Sequence, residues 1–187
     1  MYHRNSAAGC KSIGKVGTVS DNNTSTTAKD TALDIKVAIR NLYKIFGSSP
    51  SAMVEKVEKG MSKMELLDKH GHVLALTDLN IDIPSSRIQV IMGLSGSGKS
   101  TLIRHVNRLI EPTVGEIIVD GRNVLKMNEN ELREFRRHRA SMVFQRFALL
   151  PHYTVTDNVA YGLTIQHLPK QEALERAHRW IDRVGLS

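Results

Sequence analysis

Residues 93–101 read Gly-Leu-Ser-Gly-Ser-Gly-Lys-Ser-Thr, and no other stretch of the 187 residues constrains the chain so tightly. The spacing Gly93-x4-Gly98-Lys99-Ser100 matches the P-loop pattern, which is expected between a strand and the start of a helix. Glycines at 93, 96 and 98 allow left-handed backbone and let main-chain amides approach phosphate oxygens with no side chain in the way. The backbone of Leu94, Ser95 and Ser97 completes that cradle. Lys99 carries a mobile positive charge suited to β- and γ-phosphates, Ser100 a hydroxyl suited to Mg²⁺, and Thr101 a second hydroxyl within reach of a phosphate. A helix beginning at Lys99 aims its positive end at the same anion. ATP or GTP with Mg²⁺ is the implied ligand.

The flanking sequence supplies the required context. "RIQVIMGL" predicts an apolar strand running into the loop, and "KSTLIRHVNRLI" predicts a helix with Leu102, Ile103, Val106 and Leu109 on one face. Upstream, "IKVAIRNLYKIF" and "VLALTDLNIDIP" alternate as half-buried strands do. Between them, Met53, Val54, Val57, Met61, Met64, Leu66 and Leu67 recur at roughly helical spacing, with Ser62 as a cap between two short helices, so 47–73 is a helical insertion. Downstream, Asp120-Gly121 between apolar runs signals a hairpin. Asn128 with Glu131 signals a capped helix, and "SMVFQ" another buried strand. "TVTDNVAYGL" and "QEALERAHRWIDRVG" read as helices, the second with Leu174, Ala177, Ile181 and Val184 in a stripe and Gly185 as its stop. Residues 1–35, rich in Ser, Thr, Asn and Lys, cannot repay their ordering entropy and are expected to be a disordered leader.

Composition excludes several classes. No apolar stretch approaches the ~20 residues needed to cross a bilayer, and one cysteine, Cys10, cannot form an internal disulfide, which favours a reducing cytoplasm. The net charge of +7 invites a nucleic-acid reading. Its densest run, "ELREFRRHR", instead has the form of a helix's solvated face, so no nucleic-acid partner is expected. His70 and His72 lack further ligands at metal-binding spacing, and His105, His138 and His178 fall on separate helices as surface or packing residues.

Two P-loop classes compete. Small nucleotide or adenylylsulfate kinases have a suitable length, but their loop follows the first strand, whereas here two strands and an insertion precede it. "LYKIF", "ALTDLNIDIP", "IMGLSGSGKSTLIRHVNRLIEPTVGEIIVDG" and "SMVFQRFALLPHYTVTDNVAYGL" together resemble the nucleotide-binding subunit of an ABC transporter, over about residues 36–187. The insertion "GMSKMELLDKHG", with "NRLIEPT" and "FALLPH", narrows the resemblance to importers of quaternary amines, the glycine betaine/proline and choline group.

The resemblance implies an α/β fold: a RecA-like P-loop NTPase cassette with an antiparallel β region at its N-terminus and, from about 147 to 187, the start of a helical subdomain. It implies ATP and Mg²⁺ as ligands, with Gln145 as the Q-loop glutamine that contacts Mg²⁺ and the attacking water. Read alone, Gln145 at the end of an apolar strand would merely satisfy local backbone groups. Phe46 matches the aromatic that stacks on adenine, with Tyr43 in reserve. Implied partners are a second nucleotide-binding subunit paired head to tail, a transmembrane permease and, indirectly, a solute-binding protein outside the membrane. The implied location is peripheral, on the cytoplasmic face of the plasma membrane. A strand ending in Asp-Glu (Walker B), a signature motif and a switch histidine are not found in the 187 residues, which suggests the amino-terminal portion of a longer subunit that binds ATP far better than it hydrolyses it. A parallel sheet short of strands exposes apolar edges. Expressed by itself, the chain should therefore aggregate in sedimentation experiments, and a sharp, reversible melt of monomer would contradict this.

Overall fold

The computed structural model describes residues 34–145 and 148–186; the expected leader falls almost wholly outside them. The chain divides into two compact units, 1–126 and 127–187.

The first unit is organised on β1 (Ile35–Phe46), which pairs antiparallel with β2 (Val73–Pro84) on one edge and β3 (Val114–Val119) on the other. A short β4 (Arg122–Asn123) completes a sheet in the order β2-β1-β3-β4. The β3/β4 turn is the expected hairpin. Asp120 and Gly121 both have positive φ, 49° and 73°, the type I′ combination whose twist matches that of the flanking strands.

Simple alternation does not hold along β1. Ile39 is buried, but so are the neighbours Leu42 and Tyr43, because Asn41 is left-handed (φ 45°) and shifts the register on both edges. The resulting bulge is held from β2: Asn80 Oδ1 accepts from Asn41 N at 2.9 Å, and Asp78 Oδ1 accepts from the Asn41 amide at 3.2 Å. On the β3 side only glycine fits. A Cβ on Gly115 would lie 2.6 Å from Asn41 O and 2.7 Å from Leu42 Cα, and its φ of 117° is itself unfavourable for any other residue.

Between β1 and β2 lie a 3-10 turn (Pro50–Met53), α1 (Val54–Glu58) and α2 (Lys63–His70). Ser62 caps α2 through a reciprocal box with Glu65, the Ser62 side chain accepting from Glu65 N and the Glu65 carboxylate from Ser62 N. Val54, Val57 and Leu66 join Tyr43, Ile45 and Leu74 in one core cluster, with Met53 and Met61 against it. Met64 and Leu67 do not follow the apolar spacing inward. They lie three apart on α2, away from the face that carries Leu66, and are exposed.

Two expected strands are absent. Residues 87–94 and 141–145 form no strand, and Ile88, Met92, Leu94 and Val143 are largely exposed. A strand of this apolar type is stable only when neighbours satisfy its amides and cover both faces. Neither segment joins the four-stranded sheet.

The second unit holds α4 (Glu129–His138), α5 (Val155–Ile165) and α6 (Lys170–Arg183). Asn128 and Glu131 build the expected capping box on α4. Its arginines pair along the helix, Arg133 with Glu129 and Arg137 with Glu134, as a solvated face would. Small residues let α5 and α6 pack closely: Ala160, Ala173 and Ala177 form the contact, flanked by Leu163 and Leu174. Val184 falls outside the buried stripe because the helix has already ended. Gly185 is left-handed, its N–H donates to Asp182 O, and Leu186 N donates to Ile181 O, closing the helix in a Schellman motif.

Gly115→Ala should cost about 1–3 kcal/mol, since it forces strained φ and backbone displacement at once. Denaturant unfolding of the variant checks this; an unchanged midpoint would show that the β1 bulge is not tightly held.

Candidate phosphate-loop site

The loop is seated on β2. Gly98, left-handed at φ 91°, lies so close to the strand that a Cβ would sit 2.7 Å from Ala75 O and 2.9 Å from Leu76 Cδ2. Gly96 is also left-handed (φ 75°), and a Cβ on Gly93 would meet Ser97 Oγ at 2.8 Å. Thus each loop glycine answers a different steric demand: Gly93 the closure of the loop, Gly96 its turn, Gly98 its contact with the sheet.

From Gly98 the chain enters α3 (Lys99–Val106), and no side chain caps it. Leu102 N makes the first helical bond, to Gly98 O at 2.8 Å. The amides ahead of it, those of Lys99, Ser100 and Thr101, have no acceptor within the helix, so the first turn presents donors and positive partial charge to the loop interior. The Lys99 ammonium lies inside the loop, donating to Gly93 O at 2.8 Å, Leu94 O at 2.7 Å and, more weakly, Ser97 Oγ at 3.3 Å. Leu94, Ser95, Gly96 and Ser100 are exposed, and Ser97, Lys99 and Thr101 half-buried, so the cradle is open to solvent on one side. One cation and the uncapped first-turn amides of α3, with the Ser97, Ser100 and Thr101 hydroxyls close by in sequence, are donors of the kind a polyphosphate with a divalent cation would take.

Burial on α3 departs from the expected stripe. Leu102 and His105 face inward, whereas Ile103 and Leu109 are about half exposed. His105 is fully buried; its Nδ1 donates to Thr101 O at 2.6 Å, and Nε2 has no hydrogen-bond partner among the described residues. Desolvation lowers its pKa from the ordinary histidine value, which favours the neutral ring on the buried side of α3. Sequence reading had nothing to distinguish this histidine from a surface one.

At the end of β1 the two candidate aromatics separate. Tyr43 is in the core and Phe46 is 41% exposed. Phe46 pairs with Val73, and Ala75, which receives Gly98, is two residues further along β2. Val73, the pairing partner of Phe46, and Ala75, the loop's seat, are thus about 7 Å apart along β2.

In the second unit, Gln145 ends the irregular segment 141–145 and is exposed. Residues 150–154 are organised by a residue with no motif to announce it. Asn158, in the first turns of α5, accepts from Leu150 N at 2.8 Å and donates to the carbonyls of Leu150, Tyr153 and Thr154 at 3.0–3.2 Å. An asparagine near the start of an apolar helix, just after the Thr154 cap, is the only sequence signal for that clamp. Among the described residues no group of three or more His, Cys, Asp or Glu side chains is placed to hold a metal ion, and no helix is long and apolar enough to cross a membrane. His72 is instead structural: its ring nitrogens lie 2.6 Å from the carbonyl oxygens of His70 and Ser48.

A glycine loop packed on a strand and opening an uncapped helix, beside an antiparallel sheet, defines a nucleotide-binding cassette of the P-loop class. The chain belongs to the ABC transporter family, whose model matches residues 76–187. It is similar to the glycine betaine/proline betaine transport system ATP-binding protein ProV of Salmonella typhimurium, with 49% identity over 152 residues, 81% of this chain and 38% of ProV. With the glycine betaine transport ATP-binding protein OpuAA of Bacillus subtilis it shares 44% identity over 152 residues, 81% of this chain and 36% of OpuAA. The chain therefore spans less than two fifths of the length of these relatives. Among solved structures it is similar to the dimeric ATP-binding cassette MJ0796 in a post-hydrolysis state bound to ADP and Pi, with a TM-score of 0.62, 28% identity and coverage of 78% of this chain and 56% of that one.

The buried His105 makes stability pH-dependent in a definite direction. Its folded pKa lies below the unfolded value of 6.5, so the unfolded chain takes up the proton first, and stability present above pH 6.5 is lost as pH falls below it. Denaturant midpoints measured from pH 8 to 5.5 should fall on acidification, and His105→Gln should flatten the profile.

Proposed function

We propose that this chain binds Mg-ATP through residues 93–101 and, as part of a complete subunit, contributes to ATP-driven import of a quaternary amine of the betaine type. The observation that carries the binding is the loop itself: Gly98 pressed on the Ala75 carbonyl, α3 opening without a cap, and the Lys99 ammonium turned back into the loop against the Gly93 and Leu94 carbonyls. The amides of residues 94–98 and the first turn of α3 receive the phosphates, and Lys99 exchanges carbonyl partners for β- and γ-phosphate oxygens. Thr101 adds a hydroxyl. Ser100 and Gln145 are the residues assigned to Mg²⁺, which when bound neutralises charge on the phosphates; Gln145 is also assigned to the attacking water. Phe46 is the platform for the base, a role supported by its exposure at the end of β1 and by its pairing with Val73, two residues before Ala75 on β2.

The names of the relatives support the transported class, and their greater length supports a larger working unit. In that unit two cassettes pair head to tail on a transmembrane permease at the cytoplasmic face, supplied by a solute-binding protein. Turnover requires carboxylates that hold the metal and orient water, and the Asp-Glu strand end that carries them in the family is not among these residues. The 187-residue chain is accordingly a binder of ATP rather than an efficient ATPase.

Calorimetric titration with ATP should show affinity that depends on Mg²⁺. Lys99→Ala, which removes charge-assisted hydrogen bonds worth about 1.5–3 kcal/mol, should weaken it by about 10- to 100-fold. Equal affinity in the variant would sink the assignment.

A further inference from the structure

Lys44 precedes Phe46 by two residues on β1, so both side chains leave the strand on the same face. The Lys44 ammonium lies 4.8 Å from the centre of the Phe46 ring and donates to Glu111 O at 2.8 Å. Glu111 belongs to the segment 107–113 that follows α3, and Arg108 Nε donates to its carboxylate at 2.6 Å. Thr113 ties the same segment to β1: its N–H donates to Tyr43 O at 2.8 Å, and its hydroxyl accepts from Ile45 N at 3.0 Å and donates to Ile45 O at 3.3 Å. The cation over Phe46 is thereby fixed by the segment emerging from the phosphate helix. Burial lowers the pKa of Lys44, while the nearby Glu111 carboxylate opposes that shift and favours the ammonium.

Two physical consequences follow for a base meeting Phe46. Stacked aromatic faces repel through their quadrupoles, and a cation on the far side of one ring draws its electron density away from the shared face. An exposed aromatic also loses rotamer freedom on binding, and a ring already held loses less.

We propose that Lys44 is a positioning residue for base recognition: its ammonium, held by the Glu111 carbonyl, fixes and polarises the Phe46 ring so that the remaining face stacks on a nucleotide base. This rests on the reading of Phe46 as the base platform. It adds a residue that contacts neither phosphate nor metal, and it links the phosphate helix to the base through 107–113.

The test compares Mg-ATP with Mg-tripolyphosphate, which has the phosphates and no base, by calorimetry on the 187-residue chain. Lys44→Met should weaken ATP by about two- to fivefold, the size of an exposed cation–π contact. Tripolyphosphate should bind unchanged, which also reports an intact loop. Lys44→Arg, which keeps the cation, should restore ATP affinity. Phe46→Ala should weaken ATP at least as much as Lys44→Met, and the double variant no further. The proposal is overturned if Lys44→Met leaves ATP binding unaltered, weakens tripolyphosphate equally, is matched by Lys44→Arg, or adds its loss to that of Phe46→Ala. A Phe46→Ala chain that binds ATP normally would instead remove the platform reading itself.

Discussion

Hydrogen bonding of β1 along both edges is the constraint on which the first unit depends. Because β2 and β3 both pair with it, its bulge at Asn41 must be accommodated twice, by Asp78 and Asn80 on one side and by the bare backbone of Gly115 on the other. The insertion then packs its apolar side chains against the end of this ladder, where Tyr43, Ile45 and Leu74 are buried. Phe46 is left at the strand's end and Gly98 on the neighbouring strand. The pairing of β1 with β2 therefore sets where Phe46 and the glycine loop lie along the sheet.

The loop illustrates how an anion site is kept ready. The first-turn amides of α3 have no acceptor within the helix, and the Lys99 charge rests on the carbonyl oxygens of Gly93 and Leu94. A charged acceptor would strengthen such hydrogen bonds relative to those neutral ones. His105 on the same helix is fully buried, and desolvation lowers its pKa, which favours the uncharged ring there.

Features governed by residues three or four apart were legible. The Ser62 and Asn128 capping boxes, the Asp120-Gly121 hairpin and the Gly185 helix stop each obey local steric and hydrogen-bonding rules, and all appear where the residues indicate. The apolar runs at 87–94 and 141–145 failed for the opposite reason: a strand is defined by its neighbours, and hydrophobicity in one segment says nothing about whether a partner strand lies beside it. The clamp of Asn158 and the inward turn of His105 were equally unreadable, since an amide or imidazole on a helix carries no label for the face it will occupy.

By itself the sequence determined the pattern from which a phosphate cradle is read: glycines, a lysine and hydroxyls at P-loop spacing stand within nine consecutive residues. Only the tertiary structure decided what surrounds the cradle. Which aromatic remains outside the core, what holds a cation over it, and why Gly98 tolerates no side chain all depend on contacts between residues far apart in the chain, such as Lys44 with Glu111 and Ala75 with Gly98. Such contacts arise from the packing of strands and loops against one another, a property no single segment possesses.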